Sequence, residues 1–271
     1  MKRPLLFLGD IHGNFNHVKW YIKTHKIKDC TIYQVGDFGI GFTNEYNDMA
    51  VLDELNQFLK DFNIQMYAIR GNHDNPKFFD GHLANHFDNL HLLADYTVVD
   101  IDGVKILGVG GAVSIDRRPR MREQLEYARV GRDIELYWYD EVFVLDEEKL
   151  KTFENIDIVV THTAPDFCTP DNKIGFGYMV KQFAAEDPKL YEDLREERNL
   201  LTKMHDILKE KNKPDFWFYG HFHKNWAARL DGTNYRLLAI NEVYEYKNWK
   251  DYEPDWEKDL KENDLKEKGT E

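Results

Sequence analysis

The chain has 271 residues, 42% of them hydrophobic and 14% aromatic, enough to build a sizeable core in a folded globular protein. Its formal net charge of −13 argues against non-specific adhesion to nucleic acid or anionic lipid, which both need a positive surface, but leaves room for a nucleotide at a local site. Its two cysteines, Cys30 and Cys168, exclude a disulfide framework and match no zinc-finger spacing, so they read as small buried thiols with no disulfide-linked partner.

Leu5–Leu8 opens the chain as a buried strand. That segment is too briefly apolar before Asp10 to act as a signal sequence, and no apolar run reaches the roughly 18 residues of a membrane span. The expectation is a cytoplasmic protein with no membrane partner. Residues 16–26 have helical spacing, with Val18, Tyr21 and Ile22 on one side, and residues 47–62 repeat it with Val51, Leu52, Leu55, Phe58 and Leu59. With the β-rich runs at 31–35 and 64–69, this makes a βαβαβ pattern of parallel strands. Residues 96–101 and Val104–Val109 then flank Asp102-Gly103 as a hairpin. Further strands fall at 156–160 and Phe216–Tyr219, and a second hairpin at Trp226–Leu230 and 235–240 turns on Asp231-Gly232, so the sheets are mixed.

Two stretches, 112–145 and 163–214, interrupt the strands, and the second contains a charged helix over Leu190–Lys211. No internal repeat and no Pro/Gly/Ser linker divides the chain. Residues 1–245 therefore read as one domain with those two insertions, followed by a solvated acidic tail over 246–271.

Five of the strands end in polar clusters: Gly9-Asp10-Ile11-His12-Gly13, Gly36-Asp37-Phe38-Gly39, Gly71-Asn72-His73-Asp74, Thr161-His162-Thr163 and Gly220-His221-Phe222-His223. In open α/β sheets ligands gather beyond the carboxyl ends of the strands, so this layout converges the clusters on one site. Asp-x-His and His-x-His each put two ligands on one side of an extended segment, because side chains alternate there. Imidazole, carboxylate and one amide without thiolate suit Mn, Fe, Zn, Ni or Co better than magnesium alone. Two cations about 3.5–4 Å apart need a bridging carboxylate, for which Asp37 is the natural candidate, and they supply a nucleophilic hydroxide at neutral pH.

The ordered set of clusters resembles the calcineurin-like metallophosphoesterase superfamily, in a bacterial and phage subgroup, over roughly residues 5–240. The resemblance implies an α/β fold of two mixed β-sheets packed as a sandwich and flanked by helices in four layers. It implies two divalent metal ions, with manganese the first choice. Asp10, His12 and His223 would hold one metal, Asn72, His162 and His221 the other, and Asp37 both, with His73 as the leaving-group acid. Asn72 would also touch substrate. The protein Ser/Thr phosphatase branch carries an aspartate and an arginine after its Gly-Asp motif, where this chain has Phe38 to Phe42. Protein phosphatase activity is therefore disfavoured. Arg70, Arg117 and Arg118 are the candidates to meet the phosphate instead.

The function so implied is a metal-dependent hydrolase of phosphomonoesters or small phosphodiesters, acting on a phosphorylated small molecule, a nucleotide or a short nucleic-acid end through a metal-bound hydroxide. The alternative is a nuclease or nucleic-acid end-processing phosphatase with the same centre, against which the acidic balance counts. A non-catalytic binding module is the third reading, but such a scaffold should have lost ligands and all seven are present.

Overall fold

Four of the five strands that carry the polar clusters are short and buried on both faces, whereas the strand Gln65–Ala68 alternates buried and partly buried positions. The computed structural model describes residues 3–83, 86–170 and 177–247. The expected tail lies outside the described residues apart from its first two positions.

The first half runs β1 (Leu5–Leu8), α1 (Phe15–Thr24), β2 (Thr31–Gln34), α2 (Glu45–Asp61), β3 (Gln65–Ala68) and β4 (Leu90–Leu92). Asn14 caps α1 by accepting from the His17 N–H, and Asn44 caps α2 by accepting from the Asn47 N–H at 2.9 Å. Glu45 and Asp48 in the first turn of α2 also complement the helix dipole. The helices bury Phe15, Val18 and Ile22, and Leu52, Leu55, Phe58 and Leu59, against one face of the sheet. Each such side chain contributes about 1.5–3 kcal/mol. Val51, expected on the inner face, lies 37% exposed at the edge of that stripe.

The second half runs β5 (Thr97–Ile101), β6 (Val104–Val109), α3 (Arg117–Arg129), α4 (Glu147–Leu150), β7 (Ile158–Thr161), α5 (Tyr178–Ala184), α6 (Leu190–Lys211), β8 (Phe216–Tyr219), β9 (Trp226–Leu230), β10 (Thr233–Leu237) and β11 (Val243–Tyr246). Both expected hairpins form, β5 with β6 and β9 with β10, each antiparallel.

One sheet has the order β11-β1-β2-β3-β4 and the other β5-β6-β7-β8-β10-β9. In the first, β1 to β4 are parallel and β11 closes the edge antiparallel; in the second, β6, β7 and β8 are parallel. Phe7, Tyr33, Ile106, Val160, Phe216 and Phe218 interdigitate between the sheets. Phe7 stacks on Phe218 with ring centres 3.8 Å apart. Helices α1 and α2 cover the outer face of the first sheet, and α6 covers that of the second through Leu201, Met204 and Leu208. This is the expected four-layer α/β sandwich of two mixed sheets. Cys30 and Cys168 are buried free thiols. Among the described residues no helix is long and apolar enough to cross a membrane.

Candidate metal centre

Parallel strands send their following loops out at one end. Asp10 and His12 follow β1, Asp37 follows β2, Asn72 and His73 follow β3, His162 follows β7, and His221 and His223 follow β8. Ligand atoms of Asp10, His12, Asp37 and His223 all lie within 4.8 Å of one another, and those of Asp37, His162 and His221 form a second such group. Asp37 belongs to both. The Nε2 atoms of His12 and His223 are 3.0 Å apart, and Asp37 Oδ2 is 3.7 Å from His12 Nε2. Asp37 Oδ1 lies 3.1 Å from His162 Nε2, and Asn72 Oδ1 is 3.2 Å from the same nitrogen.

The backbone is strained where these side chains are aimed. His12, Asp37, His221 and His223 all take left-handed conformations, with φ of 46°, 53°, 67° and 52°. Each costs of order 1–3 kcal/mol in a residue with a Cβ, and such strain persists only where the surroundings over-determine it. The Asp37 carbonyl accepts from the Ile11 and His12 N–H groups at 3.1 and 2.9 Å, tying the first two loops together. The Asp74 carboxylate accepts from the N–H groups of Phe38, Gly39, Ile40 and Gly71, bracing the second loop against the third. Gly71 has to be glycine, because a Cβ there would run into Asp37 Oδ1 and lie 2.7 Å from His162 Nε2.

The orientation of Asn72 follows from its neighbours. Arg120 can only donate, and its Nη1 lies 2.6 Å from Ser114 Oγ, so that oxygen accepts there. The second lone pair of the hydroxyl takes the Asn72 Nδ2–H at 2.9 Å, which turns Asn72 Oδ1 toward His162. Arg120 also donates to the Asn72 carbonyl at 3.2 Å and to the Leu136 carbonyl at 2.6 Å. His162 is fixed likewise by Nδ1, 2.9 Å from the Val35 carbonyl, leaving Nε2 facing two oxygens.

Electrostatically the cluster is short of positive charge. Burial would lower His162, but Asp37 outweighs it by charge and hydrogen bonding and pushes the imidazole up to about 10. Asp37, despite its burial, is held well below the usual carboxylate range by His162. At Asp10 burial, helped by repulsion from Asp37, outweighs the attraction of His162 and raises the carboxyl well above the usual range. Burial and then the charge of His162 hold His221 far down, as a neutral imidazole. Asp10 Oδ1 is buried with no hydrogen-bond partner. An unpartnered carboxylate oxygen, several neutral imidazole nitrogens and one amide oxygen, all converging, fit a divalent cation in chemistry.

The arginines require correction. All five N–H groups of Arg70 are spent, two on Asp95 and three on the carbonyls of Asp140, Glu141 and Val142, so none remains for a phosphate. Arg117 closes on Asp187 and Asp193. Arg118 is half-exposed, 3.8 Å from Asp187. None of the three lines the cavity beside the cluster, whereas Arg198 does. Ser114 and Arg120 were not read from the sequence as parts of the site, and Asp74, read as part of the third cluster, was given no role. Position 120 lies one helical turn beyond Arg117, so the arginine-rich start of α3 pointed to the right region but to the wrong side chains.

The chain is similar to several known proteins. A family model for calcineurin-like phosphoesterase matches residues 3–225. An uncharacterized protein of Haemophilus influenzae is 27% identical over 177 residues, covering 59% of this chain and 70% of its own length. A lariat debranching enzyme of Arabidopsis thaliana is 25% identical over 263 residues, covering 86% of this chain, but the chain spans only 57% of that enzyme. Among solved structures, a phosphopantetheinyl hydrolase from Mycobacterium tuberculosis superposes with a TM-score of 0.49 at 13% identity, covering 93% of this chain and 99% of that one.

Proposed function

The chain belongs to the calcineurin-like phosphoesterase family and is a metal-dependent phosphoesterase, and from that premise we propose that it hydrolyses phosphomonoesters or small phosphodiesters at a centre of two divalent cations. The observation that carries this is the pair of ligand groups sharing Asp37. In this reading Asp10, His12 and His223 would hold one ion, Asn72, His162 and His221 the other, and Asp37 would serve both. When bound, the ions supply a deprotonated water at neutral pH and neutralise charge on the phosphoryl oxygens. Manganese is the first choice, with Fe, Zn, Ni and Co compatible with the same donors.

The chain's own residues do the rest. Ser114 and Arg120 hold Asn72 with its amide oxygen inward, and His162 keeps its tautomer through Val35. His73 is tied by its backbone N–H to Asp37 Oδ1 at 2.8 Å, and its ring stands edge-on to His12 with centres 5.2 Å apart. Burial lowers this imidazole against the pull of Asp37, and the ring lines the cavity beside the ligand cluster, where a leaving-group oxygen would come within its reach.

The test is hydrolysis of p-nitrophenyl phosphate against bis-p-nitrophenyl phosphate after chelation and readdition of Mn, Ni, Co, Zn or Mg, with Asp37→Asn as control. Metal-dependent turnover lost in the variant supports the reading, and turnover of neither ester under any cation removes it. The similarity to a lariat debranching enzyme motivates the diester arm. Preference for the diester would favour the nuclease alternative.

A further inference from the structure

A cavity of about 560 Å³ opens from the ligand cluster, with Asp37, Asn72, His73, His221 and His223 at its reactive end. Its far wall is apolar: Ile115, Tyr178, Met179, Val180, Phe183 and Leu194 line it. Four of the wall's side chains, Ile115, Val180, Phe183 and Leu194, pack as one cluster together with Val113 and Leu190. Helix α5 supplies most of the wall, and none of its residues is buried even though it carries Tyr178, Met179, Val180 and Phe183. Tyr178 is 74% exposed and Met179 59%, which is apolar surface left uncovered beside a reactive site. On the opposite side Phe222 is fixed under the Arg198 guanidinium, 5.0 Å above its ring, and Arg198 itself is pinned to the Pro165 and Cys168 carbonyls.

We propose that this wall is a leaving-group pocket and that the preferred substrates are phosphate esters of bulky apolar alcohols rather than of sugars or of peptide hydroxyls. The proposal rests on the hydrolase reading above. With phosphorus at the ligand cluster, the organic part of an ester must extend along His73, and that direction leads to α5. A volume of this size exceeds what a phosphate needs and suits a group of drug-like dimensions. The cavity also carries Asp116, Glu197, Arg198 and Lys224, but sugar hydroxyls or peptide amides laid on the side chains of Ile115, Met179, Val180, Phe183 and Leu194 would lose water that those side chains cannot replace, a cost that an apolar ring does not incur. Tyr178, Met179, Val180, Phe183 and Leu194 belong to the 163–214 insertion and Ile115 to the 112–145 insertion, so specificity comes from segments separate from the strands that aim the ligands.

The test compares 2-naphthyl phosphate with phenyl phosphate, whose leaving groups are of similar acidity but differ by one ring, alongside glycerol phosphate. The expected kcat/KM for the naphthyl ester is about tenfold above that of the phenyl ester, as burial of one further apolar ring supplies at about 25 cal/mol per Å². Glycerol phosphate should be the poorest of the three. In Phe183→Ala, and in Met179→Ser at an exposed position where folding is not at stake, the ratio of naphthyl to phenyl kcat/KM should fall toward one. Equal rates for the two aryl esters, or a preference unchanged in both variants, overturns the pocket. If neither ester is turned over with any cation, the hydrolase reading fails. Calorimetry with 2-naphthylphosphonate and phenylphosphonate then decides the pocket, and equal affinities overturn it.

Discussion

Ser114→Ala offers the sharpest test of how the second ligand group is built. The hydroxyl is buried and accepts from Asn72 Nδ2 at 2.9 Å and from Arg120 Nη1 at 2.6 Å. Removing it leaves the Asn72 amide donor without an acceptor, and a buried donor so stranded costs about 1–3 kcal/mol. Arg120 loses less, because its guanidinium keeps the Asn72 and Leu136 carbonyls. The amide can recover part of the loss only by turning its oxygen away from His162, so the cost falls on cation affinity as well as on stability. Groups that orient metal ligands typically account for about 10–100-fold in affinity, or about 1.4–2.8 kcal/mol, which matches the cost of the stranded donor. Calorimetric titration with Mn should therefore show one weakened site and one unchanged site, with urea unfolding shifted by about 1–3 kcal/mol. Equal affinity at both sites with an unshifted midpoint would refute the claim that Ser114 fixes the amide.

Asp37→Asn should lose metal content and activity together, because both ligand groups share this carboxylate; elemental analysis showing full occupancy of two sites would remove the bridge. His73→Ala should retain its metals and lose most activity on esters with poor leaving groups, and unaltered turnover of an alkyl phosphate would exclude the acid role. Arg117→Ala should destabilise the contact of α3 with the start of α6, read by thermal unfolding, since the guanidinium closes on Asp187 and Asp193. The same pair predicts a pH effect. Hydrogen bonding to Arg117 depresses the Asp187 carboxyl in the fold, so its stabilisation is present above the unfolded value of 3.8 and is lost as pH falls through the lower folded value. Acid unfolding of Arg117→Ala should accordingly lack that component, and identical pH profiles for the two proteins would exclude it.

Much of the fold was legible because its signals are local. Buried parallel strands write themselves as short apolar runs, both Asp-Gly hairpins form where the turn chemistry puts them, and α6 spans the charged segment read as a helix. Strands β4 and β11 were missed: three residues, Leu90–Leu92, and the half-buried Val243–Tyr246 carry too little pattern to stand out without their partners. The clusters at strand ends were legible for a related reason, since the end of an apolar run and its neighbouring glycines are properties of a few consecutive residues; alternation was not the device, because His12, His221 and His223 take left-handed rather than extended backbone. Arg70 stands beside one of those clusters in sequence, yet its donors go to carbonyls at 140–142, some 70 residues away. Arg120 and Ser114 reach Asn72 across a comparable separation. The sequence by itself determined the parallel βαβαβ pattern of the first sheet's core and the five polar clusters that follow its strands and those of the second sheet. Tertiary structure alone decided which guanidiniums are spent, which backbone positions bear left-handed strain, and that α5 faces a cavity. Those outcomes depend on which distant groups reach one another once the sheets pack, and no local periodicity encodes that choice.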